Sequence, residues 1–313
     1  MIRYALNRLA TAIPTLLGVL LVTFALLYAM PGDPIAHLVS AANGITPREM
    51  QELRGRFGLN DPMPVQFVHY VGHVVHGDLG TSILSNRSVG SLIVEALPNT
   101  IELALAALAI SIMIGIPLGV IAAIRHRTWV DHVSIGASLL GVSMPEFWAA
   151  MLAILIFSVN LQWFPAFGAD GLSALVLPAA VLGIRTSATL ARVTRSSMLE
   201  VLGRQYVTTA RAKGLSEWAV VMLHALKNAL IPVVTLLGLQ LGYLLAGAVV
   251  VETIFARPGI GSLLINAVLN KDVPVLRGTI LVVAVGYVLV NLLVDLSYGW
   301  LDPRIRSARR SAA

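Results

Sequence analysis

The stretch PNTIELALAALAISIMIGIPLGVIAAI at positions 98–124 holds 27 residues and a single charge, Glu102. A helix rises 1.5 Å per residue, so about 20 apolar residues cross the roughly 30 Å hydrocarbon core of a bilayer. This stretch is therefore predicted to be a transmembrane helix. Five further runs of similar character predict an all-α, multi-pass membrane protein with six spans: 9–30, 132–159, 174–190, 229–251 and 278–300.

The composition agrees with a chain solvated largely by lipid. Hydrophobic residues make up 57% of the sequence and charged residues only 12%, against about 25% in an ordinary soluble domain. The chain has no cysteine, which excludes disulfides, thiolate metal sites and cysteine nucleophiles. The run at 9–30 is too long for a signal peptide, and MPGDP rather than a cleavage pattern follows it, so it is predicted to be a retained anchor helix.

Positive charge is distributed unevenly between the predicted loops. With six spans and a cytoplasmic N-terminus, fourteen of the 22 Lys and Arg residues fall inside, seven fall outside, and Arg185 falls within a span. This asymmetry obeys the positive-inside rule and predicts that both termini are cytoplasmic. The net charge of +6 is then explained by topology and does not indicate nucleic-acid binding.

Two polar segments interrupt the apolar runs. The predicted organisation is a cytoplasmic end with the first span (1–30), a small helical external subdomain (31–97), a five-helix core (98–302) and a basic cytoplasmic tail (303–313). Helix signals in the external segment predict helices near 50–57 and 65–75. The core includes a cationic cytoplasmic loop at about 192–228, broken at Gly214, which is either a docking element for a soluble partner or a solvated helix pair.

The sequence lacks three common patterns of catalytic sites. The chain has no Gly-x-x-x-x-Gly-Lys-Ser/Thr phosphate loop, no His-Glu-x-x-His zinc pair and no Gly-x-Ser-x-Gly elbow. The chain is therefore predicted not to hydrolyse ATP and not to be an enzyme, and no catalytic residue is assigned.

Seven short motifs, taken together and in order, resemble one family of transporters. They are PGDP (31–34), GDLG (77–80), MPEFW (144–148), YVTTARAKGL (206–215), HALKNALIP (224–232), ETIFARPGIG (252–261) and LDPRIR (301–306). This set is similar to that of ABC transporter permeases of the dipeptide/oligopeptide/nickel importer family, of the DppB/OppB type. The similarity spans nearly the whole chain.

The resemblance implies a type I ABC importer permease fold in the bacterial cytoplasmic (inner) membrane. It implies four kinds of partner: a homologous second permease of the DppC/OppC type, two cytoplasmic ATPases that bind ATP and Mg, an extracytoplasmic solute-binding protein, and membrane lipid. No cofactor is implied for this chain. Peptides are the expected cargo, and nickel chelates or glutathione carried by the same mechanism are the alternatives.

The resemblance further implies that the cytoplasmic loop inserts a coupling helix into a groove of the ATPase. Leu215 and Trp218 would be its apolar contacts, and Arg211 and Lys213 would meet acidic groups. The loop departs from the family pattern at Thr208, since Thr-Thr-Ala stands where Glu-Ala-Ala is usual. The predicted coupling residues are Thr208, Thr209, Ala210, Arg211, Ala212, Lys213, Gly214, Leu215, Ser216, Glu217 and Trp218.

Two ionisable residues, Glu146 and Arg185, lie near the middle of predicted spans, where an unpaired charge costs about 2.5–3.5 kcal/mol. We expect either that they line the path of a zwitterionic peptide or that they form a structural ion pair. Asn291 and Asp295, near the cytoplasmic end of the last span, are weaker candidates that either touch the substrate as well or cap and bond neighbouring helices. A competing hypothesis is an ion-gradient-driven secondary transporter or channel that uses Glu146 and Arg185.

Three other features suggest contacts of lower specificity. His69, His73 and His76 share one face of the predicted external helix and could bind a metal, although surface histidines are commoner. Glu252 could contact the solute-binding protein. Two glycine pairs predict close helix packing, at 115/119 and at 238/242, and the second is a candidate for the interface between permeases.

Overall fold

The computed structural model describes residues 2–29, 55 and 61–301, and the regular secondary structure within them is helical apart from one isolated antiparallel bridge between Thr81 and Ser88. Its α-helices are α1 (Ile2–Ala29), α2 (Met63–Val75), α3 (Val89–Ile124), α4 (Trp129–Ser143), α5 (Glu146–Ala153), α6 (Gly171–Leu202), α7 (Gln205–Ala212), α8 (Glu217–Ala219), α9 (Leu226–Gly247), α10 (Val249–Ile254), α11 (Ile260–Leu269) and α12 (Val273–Leu301). A π-helical segment at Ile154–Asn160 continues α5, and another at Val220–Ala225 joins α8 to α9.

Within the described residues, four helices are long and apolar enough to cross a bilayer. They are Val89–Ile124, Gly171–Leu202, Glu217–Leu245 and Val273–Val294. The pair α4 and α5 forms a fifth span if it is counted as one unit, and α1 contains a shorter apolar stretch at Ala10–Ala25. The prediction of an all-helical membrane protein is confirmed.

The predicted span at 132–159 is not one continuous helix. Its halves α4 and α5 meet at 100°. Met144 and Pro145 have extended backbone at the break, with ψ of 124° and 137°. Proline has no N–H to donate and disfavours helical geometry in the residue before it, which explains the interruption.

Helices α3 and α6 lie at the centre of the bundle and pack closely against each other. A Cβ atom on Gly115 would lie 2.9 Å from the Leu190 Cβ, and one on Gly119 would lie 2.6 Å from the Ala191 carbonyl oxygen. Gly183 on α6 faces α3 in the same way. The packing role predicted for the 115/119 glycine pair is therefore confirmed.

The second glycine pair also packs inside the chain. A Cβ on Gly238 would lie 1.9 Å from the Val294 Cγ2, and one on Gly242 would lie 2.8 Å from the Tyr287 ring. Both contacts join α9 to α12. The suggestion that this pair lies between two permeases is wrong, because α12 of the same chain already occupies the surface.

The segment predicted to be external is described only in part. Helix α2 is present over the predicted 65–75, whereas the predicted helix at 50–57 and the tail at 303–313 lie outside the described residues, except for the helical Gly55. Helix α3 begins at Val89, so the last residues of the segment 31–97 belong to the same helix as the second span. The loop before α3 is held to the α11–α12 turn by the Ser82 hydroxyl, which donates to the Asp272 carboxylate at 2.5 Å.

Candidate functional site

Glu146, Arg185 and Tyr243 come together from three different helices, α5, α6 and α9. The Arg185 Nη1 donates to the Glu146 carboxylate and, at 2.9 Å, to the Tyr243 hydroxyl. The Tyr243 hydroxyl donates to the same carboxylate oxygen at 2.9 Å, and the guanidinium lies 5.9 Å from the centre of the tyrosine ring. The sequence singled out Glu146 and Arg185 but gave no signal for Tyr243.

This triad is not sealed inside the bundle. The Arg185 side chain is 35% exposed and the Glu146 side chain 12% exposed, and both line a cavity of about 260 Å³ between α4, α5 and α6. A charged group facing lipid at this depth is costly. The exposed side of the triad is therefore expected to face a polar passage or another subunit.

The two weaker candidates from the last span both lie on α12. Asn291 is partly buried on α12, and the described hydrogen bonds do not link it to Glu146 or Arg185. Asp295 lies in α12, and its side chain falls outside the described residues.

The predicted coupling loop is a helix-turn-helix element built from α7 and α8. Leu215 N–H donates to the Ala210 carbonyl at 3.4 Å and Gly214 N–H donates to the Arg211 carbonyl at 2.9 Å. This pair of bonds is a Schellman motif, in which the residue after the helix takes a left-handed conformation. Gly214 has a φ of +80° and meets that requirement without the cost of a side chain.

The turn is fixed to the bundle by a small apolar cluster and a polar contact. Val207, Ala210 and Val220 are buried against each other. Asn228 on α9 donates through its Nδ2 to the Tyr206 hydroxyl at 2.9 Å. The loop is thus held as a defined element rather than as a loose connection.

An apolar patch, here called the docking surface, covers the outer side of this element. It consists of Leu215, Trp218, Met222 and Leu223, of which Trp218 is 67% exposed. Three of the four lie at the start of the apolar helix Glu217–Leu245, before the predicted span at 229–251. An exposed cluster of large apolar side chains at such a place marks an interaction site. This geometry favours the docking element over the solvated helix pair.

Arg211 pairs with an acid of the same loop. Arg211 donates through Nε and Nη2 to the two Glu217 carboxylate oxygens at 2.7 and 3.2 Å. The guanidinium therefore has an acidic contact within the loop and braces the two helices across Gly214. Lys213 is exposed beside it.

A buried ion cluster at the same end of the bundle was missed by the sequence analysis. Asp131 on α4 is almost fully buried and accepts from Arg195 Nε and Nη2 at 2.5 and 2.8 Å. Its Oδ2 also accepts from Arg127 N–H at 3.0 Å and lies 3.1 Å from the His126 Nδ1. The cluster fixes the α3–α4 turn to α6, the helix that leads into the coupling loop.

Glu252 is a structural residue in this fold, not an exposed contact. Its side chain is fully buried, and Oε1 accepts from the Thr100 hydroxyl at 2.6 Å. Oε2 accepts from the N–H groups of Gly261 and Ser262 at 2.8 and 3.1 Å, which lie in the first turn of α11. Burial raises the pKa of this carboxyl, and the hydrogen bonds from Thr100, Ser262 and Gly261 act against that rise. The expectation that Glu252 contacts the solute-binding protein is wrong.

The glycines of ETIFARPGIG follow from the same site. A Cβ on Gly259 would lie 2.3 Å from the Glu252 Oε1, and one on Gly261 would lie 2.5 Å from the Val249 Cα. Both positions exclude any larger residue, because the Glu252 carboxylate occupies the space at Gly259 and the Val249 backbone, with the same carboxylate, occupies it at Gly261. The motif is therefore a staple that joins α10, α11 and the external end of α3.

The three histidines of the predicted external helix each lie near a different group. His69 lies 3.9 Å from Asp61, His73 lies 3.2 Å from Asp78, and the His76 Nδ1 lies 2.8 Å from the Gly72 carbonyl oxygen. In the described part of the chain, no group of three His, Cys, Asp or Glu side chains could hold a metal ion. The geometry of the described residues does not support a metal site at these three histidines.

Comparison with known proteins gives matches over the length of the chain. Residues 115–307 match the family described as binding-protein-dependent transport system inner membrane component, and residues 1–104 match the N-terminal model of such membrane components. The chain is 42% identical to the dipeptide transport system permease protein DppB of Escherichia coli K12, across 98% of this chain and 99% of that protein. It is 44% identical to a putative peptide transport system permease protein of Brucella abortus, across 96% and 98%.

A solved structure supports the same fold at lower similarity. An inward-facing form of the MetNI methionine ABC transporter aligns with a TM-score of 0.58 at 16% identity, covering 67% of this chain and 96% of that one. At this identity the likeness concerns the arrangement of helices alone.

Proposed function

The chain belongs to the family of inner membrane components of binding-protein-dependent transport systems, and from this membership we propose that it forms half of an ATP-driven import pathway for dipeptides and oligopeptides. The full-length similarity to a dipeptide permease carries the cargo proposal. The same membership argues against an ion-gradient-driven transporter or channel. It makes the chain a transport subunit and not an enzyme.

For the topology we propose six spans with both termini in the cytoplasm. The spans are α1, α3, the bent pair α4–α5, α6, α9 and α12. The excess of Lys and Arg on the proposed cytoplasmic side supports this orientation. The part of segment 31–97 that precedes α3 would then be external. The coupling loop and the tail 303–313 would be cytoplasmic.

For energy coupling we propose that the docking surface seats in a groove of a cytoplasmic ATPase subunit. Separate subunits would bind ATP and Mg, a homologous second permease would complete the pathway, and an external solute-binding protein would deliver cargo. The braced α7–α8 turn supports this role, because a fixed element transmits displacement to α6 and α9 while a flexible loop does not.

For the pathway we propose that the Glu146–Arg185–Tyr243 triad contacts the passing peptide. A zwitterionic peptide carries both an ammonium and a carboxylate. Glu146 could exchange Arg185 for the ammonium, and Arg185 could exchange Glu146 for the carboxylate. The partial exposure of the pair supports this proposal over a purely structural role.

The first test separates a permease subunit from a self-sufficient transporter. The chain purified alone and placed in liposomes is expected to accumulate no labelled dipeptide above background, because it has no energy source of its own. The assembly that co-purifies in mild detergent is expected to accumulate it when ATP is supplied. Uphill accumulation by the chain alone would contradict the proposal.

The second test concerns the triad. Arg185→Gln is expected to lower peptide uptake about tenfold while assembly is retained, since a charged hydrogen bond contributes about 1.5–3 kcal/mol. Glu146→Gln is expected to act in the same direction. Uptake rates and the yield of the assembled complex are measured together, because a purely structural ion pair would lower the yield instead.

Tyr243→Phe is the matched control for this test. It removes the hydroxyl contacts but keeps the ring beside Arg185, so uptake is expected to fall less than threefold, the lower end for a neutral hydrogen bond. If both charge-neutral variants take up peptide at the normal rate, the triad has no place in the pathway.

A further inference from the structure

A groove between α3, α4 and α6 lies near the proposed cytoplasmic face. Its volume is about 210 Å³. Leu118, Ala122, Ile135 and Leu139 form much of its wall, and Arg192 lies at its edge. The groove is therefore mostly apolar with a cation beside it.

The helix ends define the depth of this groove. Helix α3 ends at Ile124, so at 1.5 Å per residue Leu118 lies about 9 Å inside that end and Ala122 about 3 Å inside it. Trp129 at the start of α4 is 74% exposed, as is typical of aromatic residues at the membrane surface. The groove thus extends from the headgroup level into one leaflet.

The charges around the groove differ in availability. Arg195 is held by the buried Asp131, so its positive charge is compensated. Arg192 is exposed, and no ion pair with it is found among the residues that the structure describes. Arg125 and Arg127 follow directly after α3. Among the residues that line the groove, Arg192 therefore carries the uncompensated positive charge.

We propose that this groove binds an anionic phospholipid of the cytoplasmic leaflet, with an acyl chain along Leu118, Ile135 and Leu139 and the phosphate at Arg192. Basic pockets between spans on the cytoplasmic side are suited to anionic headgroups, and an acyl chain fills an apolar groove that water would not. The leaflet assignment rests on the topology proposed above.

The test measures lipid retention by the assembled importer. The delipidated complex is titrated with phosphatidylglycerol or phosphatidylcholine, and bound lipid is counted by native mass spectrometry. Wild type is expected to prefer phosphatidylglycerol, and Arg192→Gln is expected to lower that preference about fivefold, the contribution of one cation near a membrane surface. Inorganic phosphate in place of lipid is expected not to compete, because it has no acyl chain.

Two further variants isolate the groove. Arg204→Gln removes an exposed cation farther along the chain, one already paired with Glu200, and is expected to leave the preference unchanged. Ser134→Phe places a ring in the groove and is expected to lower retention of both lipids.

Equal retention of the two lipids, or an equal effect of Arg192→Gln and Arg204→Gln, would overturn the proposal. The proposal would also be overturned if the isolated chain bound phosphatidylglycerol and the assembled importer did not, because the second permease would then cover the groove. ATP-driven uptake is measured on the same preparations. Normal uptake without lipid preference rejects the lipid site alone, whereas absent uptake in wild type rejects the proposed function.

Discussion

Trp218→Asp is expected to abolish ATP-driven peptide uptake while the chain remains inserted in the membrane. Trp218 is the most exposed member of the docking surface, at 67%, and no buried cluster of the described bundle includes it. The variant should therefore fold. A central tryptophan in a protein interface typically contributes 2 kcal/mol or more, so ATPase binding is expected to weaken about thirtyfold or more.

The choice of aspartate increases this effect. A carboxylate at position 218 would have to lose its water in an apolar contact, and it would stand next to Glu217 in sequence. Co-purification of the ATPase subunits and ATP-dependent uptake in liposomes are the two measurements, and both are expected to fall together. Membrane yield of the chain itself should be unchanged.

Trp218→Phe is the matched control because it keeps a large apolar ring at the same place. It is expected to retain most of the ATPase binding. If Trp218→Asp instead binds ATPase and transports peptide as wild type does, the docking surface is not the site of energy coupling, and the solvated helix pair becomes the better interpretation of the loop.

The spans could be predicted because their signal is local. An apolar run of about 20 residues is forced into a helix by the absence of water, whatever its neighbours are. The bend between α4 and α5 also had a local signal in Pro145, since proline interrupts a helix. The size of the bend, 100°, depends on how the halves pack against α6 and α10 and could not be derived from the run itself.

Pairs of side chains from distant parts of the chain were harder to predict than the spans, because such contacts have no characteristic spacing in the sequence. Glu146 and Arg185 stood out since each is a rare charge within an apolar run, and the structure joins them. Asp131 and Arg195 lie in polar surroundings 64 positions apart, where charges are ordinary. The only signal for that cluster was an acid four positions after Arg127, near a second arginine and a histidine in a predicted cytoplasmic turn.

Glu252 illustrates the opposite error. Its position at the start of an external loop suggested an exposed contact, whereas its partner Thr100 lies 152 residues earlier. The two close glycines, Gly259 and Gly261, carried the relevant signal, because small residues after an acid leave room for its carboxylate to turn inward. A turn of this kind can be suspected from sequence but not assigned.

Glu252→Ala is expected to be the most damaging single substitution at the external end. It leaves the Thr100 hydroxyl and the N–H groups of Gly261 and Ser262 buried without their acceptor. Each buried unsatisfied donor costs about 1–3 kcal/mol, so the loss of stability is expected to be at least about 3 kcal/mol. The measurements are the yield of assembled complex and its thermal unfolding, and both should fall sharply.

Two controls make this result specific. Glu252→Gln keeps one carbonyl oxygen for the two N–H groups and is expected to unfold close to wild type. Glu95→Ala removes a carboxylate that is 60% exposed and pairs with Arg87 at the same end, where an ion pair contributes at most about 1 kcal/mol. If Glu252→Ala assembled and melted normally but lost stimulation by the solute-binding protein, the carboxylate would be a docking contact after all, and the staple assigned to ETIFARPGIG would be wrong.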